Sequence, residues 1–278
     1  MVASELDLKE KSIELRRMII KMVYESKAGH LGGSLSWADL GTVLFHNHMN
    51  LRGENKDRFI LSKGHAVPTL YSILAMVGEL HPDSLKTLRH IDSNLEGHPV
   101  IGTHPLIYAS TGALGQGLSI GIGYSFANKA KNDSGRIYVL LGDGECQEGQ
   151  IWEAAMSAAT LTTQERLSKI IAIIDYNGVQ GDNALSKTMP SFEPIADKWK
   201  SFGWHVQEID GHNINQIKEA YQVADSIQDK PSVIIAHTKK GSGISFMEAN
   251  PVKWHGGSSD LDPELYETAL SELGGDNE

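Results

Sequence analysis

Five short β-type runs punctuate this chain: "RFILS" (58–62), "IYVLL" (137–141), "IIAIID" (170–175), "WHVQEI" (204–209) and "SVIIAHT" (232–238). Runs of this length and composition predict strands. Between them, segments near 68–78, 113–131, 151–160 and 213–227 predict helices. The opening segment reads as an amphipathic helix, because Leu15, Met18, Ile19, Met22 and Val23 recur at helical spacing until Gly29 stops it. Strands that alternate with helices imply an α/β fold, a central parallel sheet covered on both faces. No Pro/Gly/Ser linker, internal repeat or low-complexity tract divides the sequence, so a single domain over 1–278 with a short C-terminal tail is expected.

Composition adds limits. A chain of 278 residues can bury a sizeable core without cross-links, and 28 glycines imply many turns or close backbone contacts. The formal charge of −10 argues against nucleic acid and against anionic membrane as partners. An anionic ligand here would need a metal or local donors to offset that field. The single cysteine, Cys146, excludes internal disulfides and suits a reducing compartment. Its neighbour Glu145 gives no reason for a depressed thiol pKa, so no nucleophilic role is expected. The N-terminus has no apolar signal core and no stretch is long enough to span a bilayer, which together predict a cytoplasmic protein.

Candidate chemistry begins at "IYVLLGDGECQEGQIWEA" (137–154), where an aspartate sits between two glycines after an apolar run. At the C-terminal end of a parallel strand, Asp143 lies where ligands of such sheets bind. Gly142 and Gly144 let backbone approach a bulky anion, and Asp143 is a hard oxygen ligand suited to Mg²⁺ or Ca²⁺. A second strand ends at Asp175-Tyr176-Asn177, so the Asn177 side chain and the Val179 carbonyl can supply further ligands. The segment "GALGQGLSIGIG" (112–123) fails the dinucleotide spacing, since Ile120 stands where glycine is required. Its Gly117 and Gly121 share one helix face and suit close packing. Four histidines follow glycine (His30, His65, His98, His212) and His255 precedes one. Imidazoles on glycine-flanked loops suit proton transfer and hydroxyl recognition near neutral pH. No zinc-type histidine spacing is present.

The ordered blocks "KAGHLGGSLS", "RFILSKGHAVPTLYS", "LEGHP", "STGALGQGLS", "GDGECQEG", "IDYNGVQ", "DGHN" and "KGSGISFMEANPVKWHGG" resemble the N-terminal half of transketolase, covering about 27–257. GDG followed by Asn177 resembles the thiamin diphosphate signature. The resemblance implies that fold, that cofactor and Mg²⁺. It assigns Asp143, Asn177 and the Val179 carbonyl to the metal and Gly144 to the diphosphate. His65, Gly112, Leu114, Lys240 and His255 become cofactor contacts, and His30, His98 and His255 face the sugar hydroxyls and the bond being broken. Glu148 matches a glutamate of a carboxylate network across the subunit interface. Glu145 matches no family role and reads as a solvated helix-start residue, and His212 as structural. Family members usually carry three domains, so the chain resembles the diphosphate-binding subunit of a split enzyme. Its partner would carry the pyrimidine-binding domain and its glutamate, in an α₂β₂ assembly.

The implied activity is transfer of a two-carbon ketol unit from a ketose, with phosphorylated substrates expected, to an aldose. Rival readings are another sugar-active thiamin enzyme, of the deoxyxylulose-phosphate or dihydroxyacetone synthase type, and a non-catalytic cofactor-binding subunit. Three departures from the family pattern bear on substrate preference. The interval from Asp143 to Asn177 is long, through "TLTTQERLSK", where an extra turn in a surface helix is expected. Leu106-Ile107-Tyr108 replaces a usual Gly-Val-Glu. Gly181 replaces a bulky aliphatic residue beside the cofactor.

Overall fold

The structure, a computed structural model, describes residues 4–181, 183–256 and 260–275. Its frame is a five-stranded sheet of β1 (Arg58–Leu61), β2 (Ile137–Gly142), β3 (Ile170–Tyr176), β6 (His205–Asp210) and β7 (Ser232–His237), in the order β1-β2-β3-β7-β6. Every neighbouring pair is parallel. All five runs are strands within a residue or so of the expected limits. Central strands β2 and β3 are buried on both faces, which is why they read as unbroken hydrophobic runs rather than alternating ones.

Alternate residues serve opposite layers. Tyr138, Leu140, Ile171, Ile173 and Ile234 join one core with helices α1 (Glu5–Ser26), α3 (Ala38–Val43), α4 (Val67–Met76) and α9 (Ile214–Ser226). Ile137, Val139, Leu141, Ala172, Val233 and Ile235 face the other, with α5 (Gln116–Ala130), α6 (Gly149–Thr163) and α8 (Ile195–Ser201). Helix α1 begins at Ser4, whose side chain accepts the Asp7 amide, and ends at Lys27 in the left-handed region. The expected close contacts of α5 are present. A Cβ on Gly117 would lie 2.4 Å from Ser62, and one on Gly121 would lie 2.6 Å from Val139.

Several elements carry no strong periodic signal: α2 (Leu31–Leu35), the hairpin β4 (Val179–Gln180) and β5 (Asn183–Ala184), α7 (Leu185–Thr188), α10 (Ser245–Ala249) and α11 (Pro263–Glu272). The C-terminal stretch, expected to be a short tail, is packed instead. Tyr266 of α11 stacks on Tyr24 at 3.9 Å between ring centroids, and Ala269, Leu270 and Leu273 are buried. The segment "TLTTQERLSK" forms the end of α6 and a turn, with Glu165 at φ +56°.

Candidate functional site

Candidate residues converge at the carboxyl edge of the sheet. The turns after β2, β3 and β7 deliver Asp143, Asn177 with Val179, and Lys240 to one cleft of about 90 Å³. Gly144, His65, Leu114, Glu148 and His255 also line it, with Gly33, Lys63, Glu145, Gln180 and Gly181. It is a slot rather than a full pocket, since drug-sized ligands occupy roughly 300–1,000 Å³. A larger cavity, about 650 Å³, lies at the opposite edge beside Arg136 and Lys169. Two of its cations are already engaged: Arg136 binds Asp57 and Asp225, and Lys169 donates to carbonyls at the end of α9.

Asp143 is buried and accepts backbone N–H bonds from Gly144 (2.7 Å) and Gly178 (2.6 Å). Burial, then the neighbouring Asp175 carboxylate, push its pKa up to about 6 despite those bonds. A buried carboxylate under that penalty is suited to a cation. Asn177 stands beside it, its Oδ1 accepting the Val179 amide at 3.2 Å, and the Val179 carbonyl is 3.4 Å from the Lys240 ammonium. One carboxylate, one amide oxygen and one carbonyl form a hard donor set that fits Mg²⁺, which completes its shell with phosphate oxygens and water. Gly144 brings backbone close to the cleft: a Cβ there would meet Gln180 Cγ at 2.9 Å.

Three imidazoles form a cluster over the slot. Ring centroids of His30 and His65 lie 5.1 Å apart, His30 and His255 5.4 Å, and His65 and His255 5.5 Å. Backbone pairing explains the convergence. Leu31 donates to the Gly256 carbonyl (3.2 Å) and Gly32 to that of Trp254 (2.9 Å), fastening the His255 segment onto the start of α2 beside His30. Gly32 is required here, since a Cβ would sit 2.5 Å from the Trp254 carbonyl oxygen. His98 comes from a separate loop. Its ring lies 3.7 Å from where a Gly112 Cβ would be, and Thr111 donates to the Pro99 carbonyl, so the two loops travel together.

Burial, then Arg89 and the nearby His98 and Lys240 side chains, hold His30 down to about 4, while burial and Arg89 also lower His98. His65 is lowered well below the usual range by burial, Lys63 and the other imidazoles. These rings are therefore neutral near pH 7 and able to accept protons. His30 Nδ1 is buried without a hydrogen-bond partner, an orphan that a bound hydroxyl would satisfy. Lys240 Nζ lies 2.8 Å from His255 Nδ1. Glu148 is exposed at the cleft rim, where another protein chain could meet it.

One assignment is overturned. Glu145 is not solvated: it is 2 % exposed and accepts the Gly115 (2.8 Å) and Gly142 (3.0 Å) amides and the Ser62 hydroxyl. It ties the end of β1, the loop before α5 and the GDG turn together. Two charged residues of the site escape sequence reasoning. Lys63 and Asp175 form a buried ion pair beneath the slot, and the only sequence signal is a lysine between an apolar strand and Gly64-His65. His212, expected to be structural, is bonded to Asp39 at 2.7 Å. Tyr108 packs at the core margin, its carbonyl accepting the Tyr124 hydroxyl (2.7 Å). Asp182 and Gly257, within the "NGVQGDN" and "KWHGG" motifs, lie outside the described residues.

Comparison with known proteins agrees. Residues 9–274 match the family described as transketolase, thiamine diphosphate binding domain. The chain is 39% identical over 263 residues to one subunit of the apulose-4-phosphate transketolase of Phocaeicola vulgatus, covering 93% of this chain and 90% of that one. It is 38% identical to one subunit of a 6-deoxy-6-sulfo-D-fructose transketolase from a Clostridium species, over 98% of both chains. Human transketolase is 36% identical across 96% of this chain, which spans only 42% of that protein. The crystal structure of transketolase from Campylobacter jejuni superposes with a TM-score of 0.88 at 32% identity, covering 99% of this chain and 44% of that one. The chain belongs to the transketolase family and comprises its thiamine diphosphate-binding domain.

Proposed function

We propose that this chain is the diphosphate-binding subunit of a two-subunit, Mg²⁺-dependent transketolase that moves a two-carbon ketol unit from a ketose to an aldose. The observation that carries this reading is the convergence of the Asp143–Asn177–Val179 donor set with the His30–His65–His255 cluster on one sheet edge. Asp143, Asn177 and the Val179 carbonyl would hold Mg²⁺. Gly144, Lys240, His65, Gly112, Leu114 and His255 would hold thiamin diphosphate. When bound, that cofactor supplies a nucleophilic carbon and an electron sink for carbon–carbon cleavage.

The chain's own groups do the remaining work. His30, His98 and His255 exchange the proton of the donor's C3 hydroxyl and orient its oxygens, with His30 and His98 held neutral at working pH. Lys240 offsets anionic charge in an otherwise acidic protein, while Lys63 in the same cleft is already paired with Asp175. Arg89, whose guanidinium lies against Gly97 and lowers both His30 and His98, supplies positive charge on the sugar side. The two relatives that are themselves subunits are named for a sugar phosphate and a sulfo-sugar. That supports a substrate with an anionic terminus, phosphate first.

The split assembly is supported by relatives named as subunits that match this chain over nearly their whole length. The partner would contribute the pyrimidine-binding domain with its glutamate, in an α₂β₂ complex closed by two-fold symmetry, with Glu148 at the junction. A single diphosphate-binding domain over residues 1–278 belongs to the same proposal, as does a cytoplasmic setting. Cys146 is buried with its thiol pKa raised, and no described helix is long and apolar enough to cross a membrane.

The test is to assay ketol transfer from phosphorylated ketoses by residues 1–278 alone and with the candidate partner, with thiamin diphosphate and Mg²⁺. Turnover should require partner, cofactor and metal together and should be lost on chelation. Full turnover by the isolated chain would overturn the split reading.

A further inference from the structure

The Asp39–His212 pair holds a turn that the site depends on. His212 Nδ1 donates to Asp39 Oδ2 (2.7 Å), which fixes the tautomer and leaves Nε2 to accept the Lys239 amide (2.8 Å). Arg16, paired with the same Asp39 at 2.7 Å, donates through Nε to the Ser242 carbonyl at 2.9 Å. Gly241 donates to the Gly32 carbonyl at 3.1 Å. The turn 239–242 is thus fastened on both sides of Lys240, whose side chain is buried in the cleft beside His255. The "DGHN" turn reaches this point because Gly211 packs against the exit of β7, where a Cβ would meet Thr238 at 2.5 Å.

We propose that His212 is a positioning residue that fixes the Lys240 ammonium against the cofactor's diphosphate by holding the Lys239 amide, with Asp39 setting its tautomer. Without that bond the turn gains freedom, and ordering it on binding subtracts from affinity. This inference rests on reading the cleft as the diphosphate site.

The experiment is thiamin diphosphate titration, with Mg²⁺ present, of the assembled enzyme followed by calorimetry. The variants are His212→Phe, His212→Gln, Lys240→Met and the His212→Phe/Lys240→Met double. His212→Phe keeps a ring but loses both bonds. His212→Gln can still donate to Asp39 and accept from Lys239. His212→Phe should weaken binding about ten-fold, roughly 1.4 kcal/mol, and His212→Gln should restore most of it. In the Lys240→Met background His212→Phe should cost less than about two-fold, because the two act as one unit. Equal cost in both backgrounds would assign His212 a merely structural role and overturn the proposal. Lys240→Met weakening binding while His212→Phe does not would overturn it alone. A silent Lys240→Met would overturn the diphosphate reading and the proposal with it. If His212→Phe does not fold, amide exchange of Lys239 in the wild-type protein decides: protection supports the bond, and exchange at the rate of an exposed amide overturns it.

Discussion

Lys63 and Asp175 form an ion pair sealed from water at the floor of the cleft, their side chains 3 % and 0 % exposed. Lys63 also donates to the Gly33 carbonyl (2.9 Å), while Ser36 and Thr238 donate to Asp175. Against the desolvation of burial, the Lys63 ammonium holds the Asp175 carboxyl below its usual range. Lys63→Met leaves that carboxylate buried without a counter-charge and should cost about 3–5 kcal/mol. The Lys63→Met/Asp175→Asn double should recover much of it. Denaturant unfolding measures both, and equal losses would show that the pair is not coupled.

Asp143→Asn keeps the shape and one acceptor but removes the charge that a cation needs. Thiamin diphosphate affinity should fall at least about ten-fold, some 1.4 kcal/mol. Stability without cofactor should change little, since removing a charge that burial disfavours offsets the one backbone N–H left without its acceptor. An unchanged titration in the assembled enzyme would remove Asp143 from the metal site.

Glu145→Ala strands the Gly115 and Gly142 amides and the Ser62 hydroxyl. Each orphaned buried donor costs about 1–3 kcal/mol, so a loss of several kcal/mol is expected on unfolding. Glu145→Gln, still able to accept at one oxygen, should lose less. A surface-like change below about 0.5 kcal/mol for Ala would restore the solvated reading.

His98→Ala should lower turnover about 10²–10⁴-fold with little change in cofactor binding, and His205→Ala, remote on β6, should change little. Small, equal effects would remove His98 from the chemistry.

His30 gives a pH signature. Its folded value of about 4 lies below the unfolded 6.5, so as pH falls through that window the unfolded chain takes up the proton first. Stability drains between those values and is unaffected by this group above them. His30→Phe should flatten the stability–pH curve there. A curve parallel to the wild type would show that His30 is not held neutral.

Gly181→Ile, which spatial room alone recommends, meets a backbone at φ +49° in the turn of the β4–β5 hairpin. Nothing crowds the position, but a β-branched residue in the left-handed region costs about 1–2 kcal/mol. Gly181→Asn should be tolerated and Gly181→Ile should destabilise. Equal unfolding midpoints would refute the strain.

The elements that sequence alone determines are those whose cause is local. Five β-type runs had to be strands, four of them largely buried, and glycines beside Asp143 and the histidines mark backbone that bends close to the cleft. Those signals sit within a few residues of one another, so the sheet, its carboxyl edge and the ligand turns are legible along the chain. Glu145 is not, because a buried acceptor and a solvated acid look identical in "GDGECQEG"; its donors, Ser62 and Gly115, lie 83 and 30 residues away. Lys63 meets Asp175 across 112 residues, and His212 meets Asp39 across 173. Only the tertiary structure decided those partners. Desolvation makes a buried charge or donor depend on whichever group the fold brings within about 3 Å, and no pattern along the chain records that.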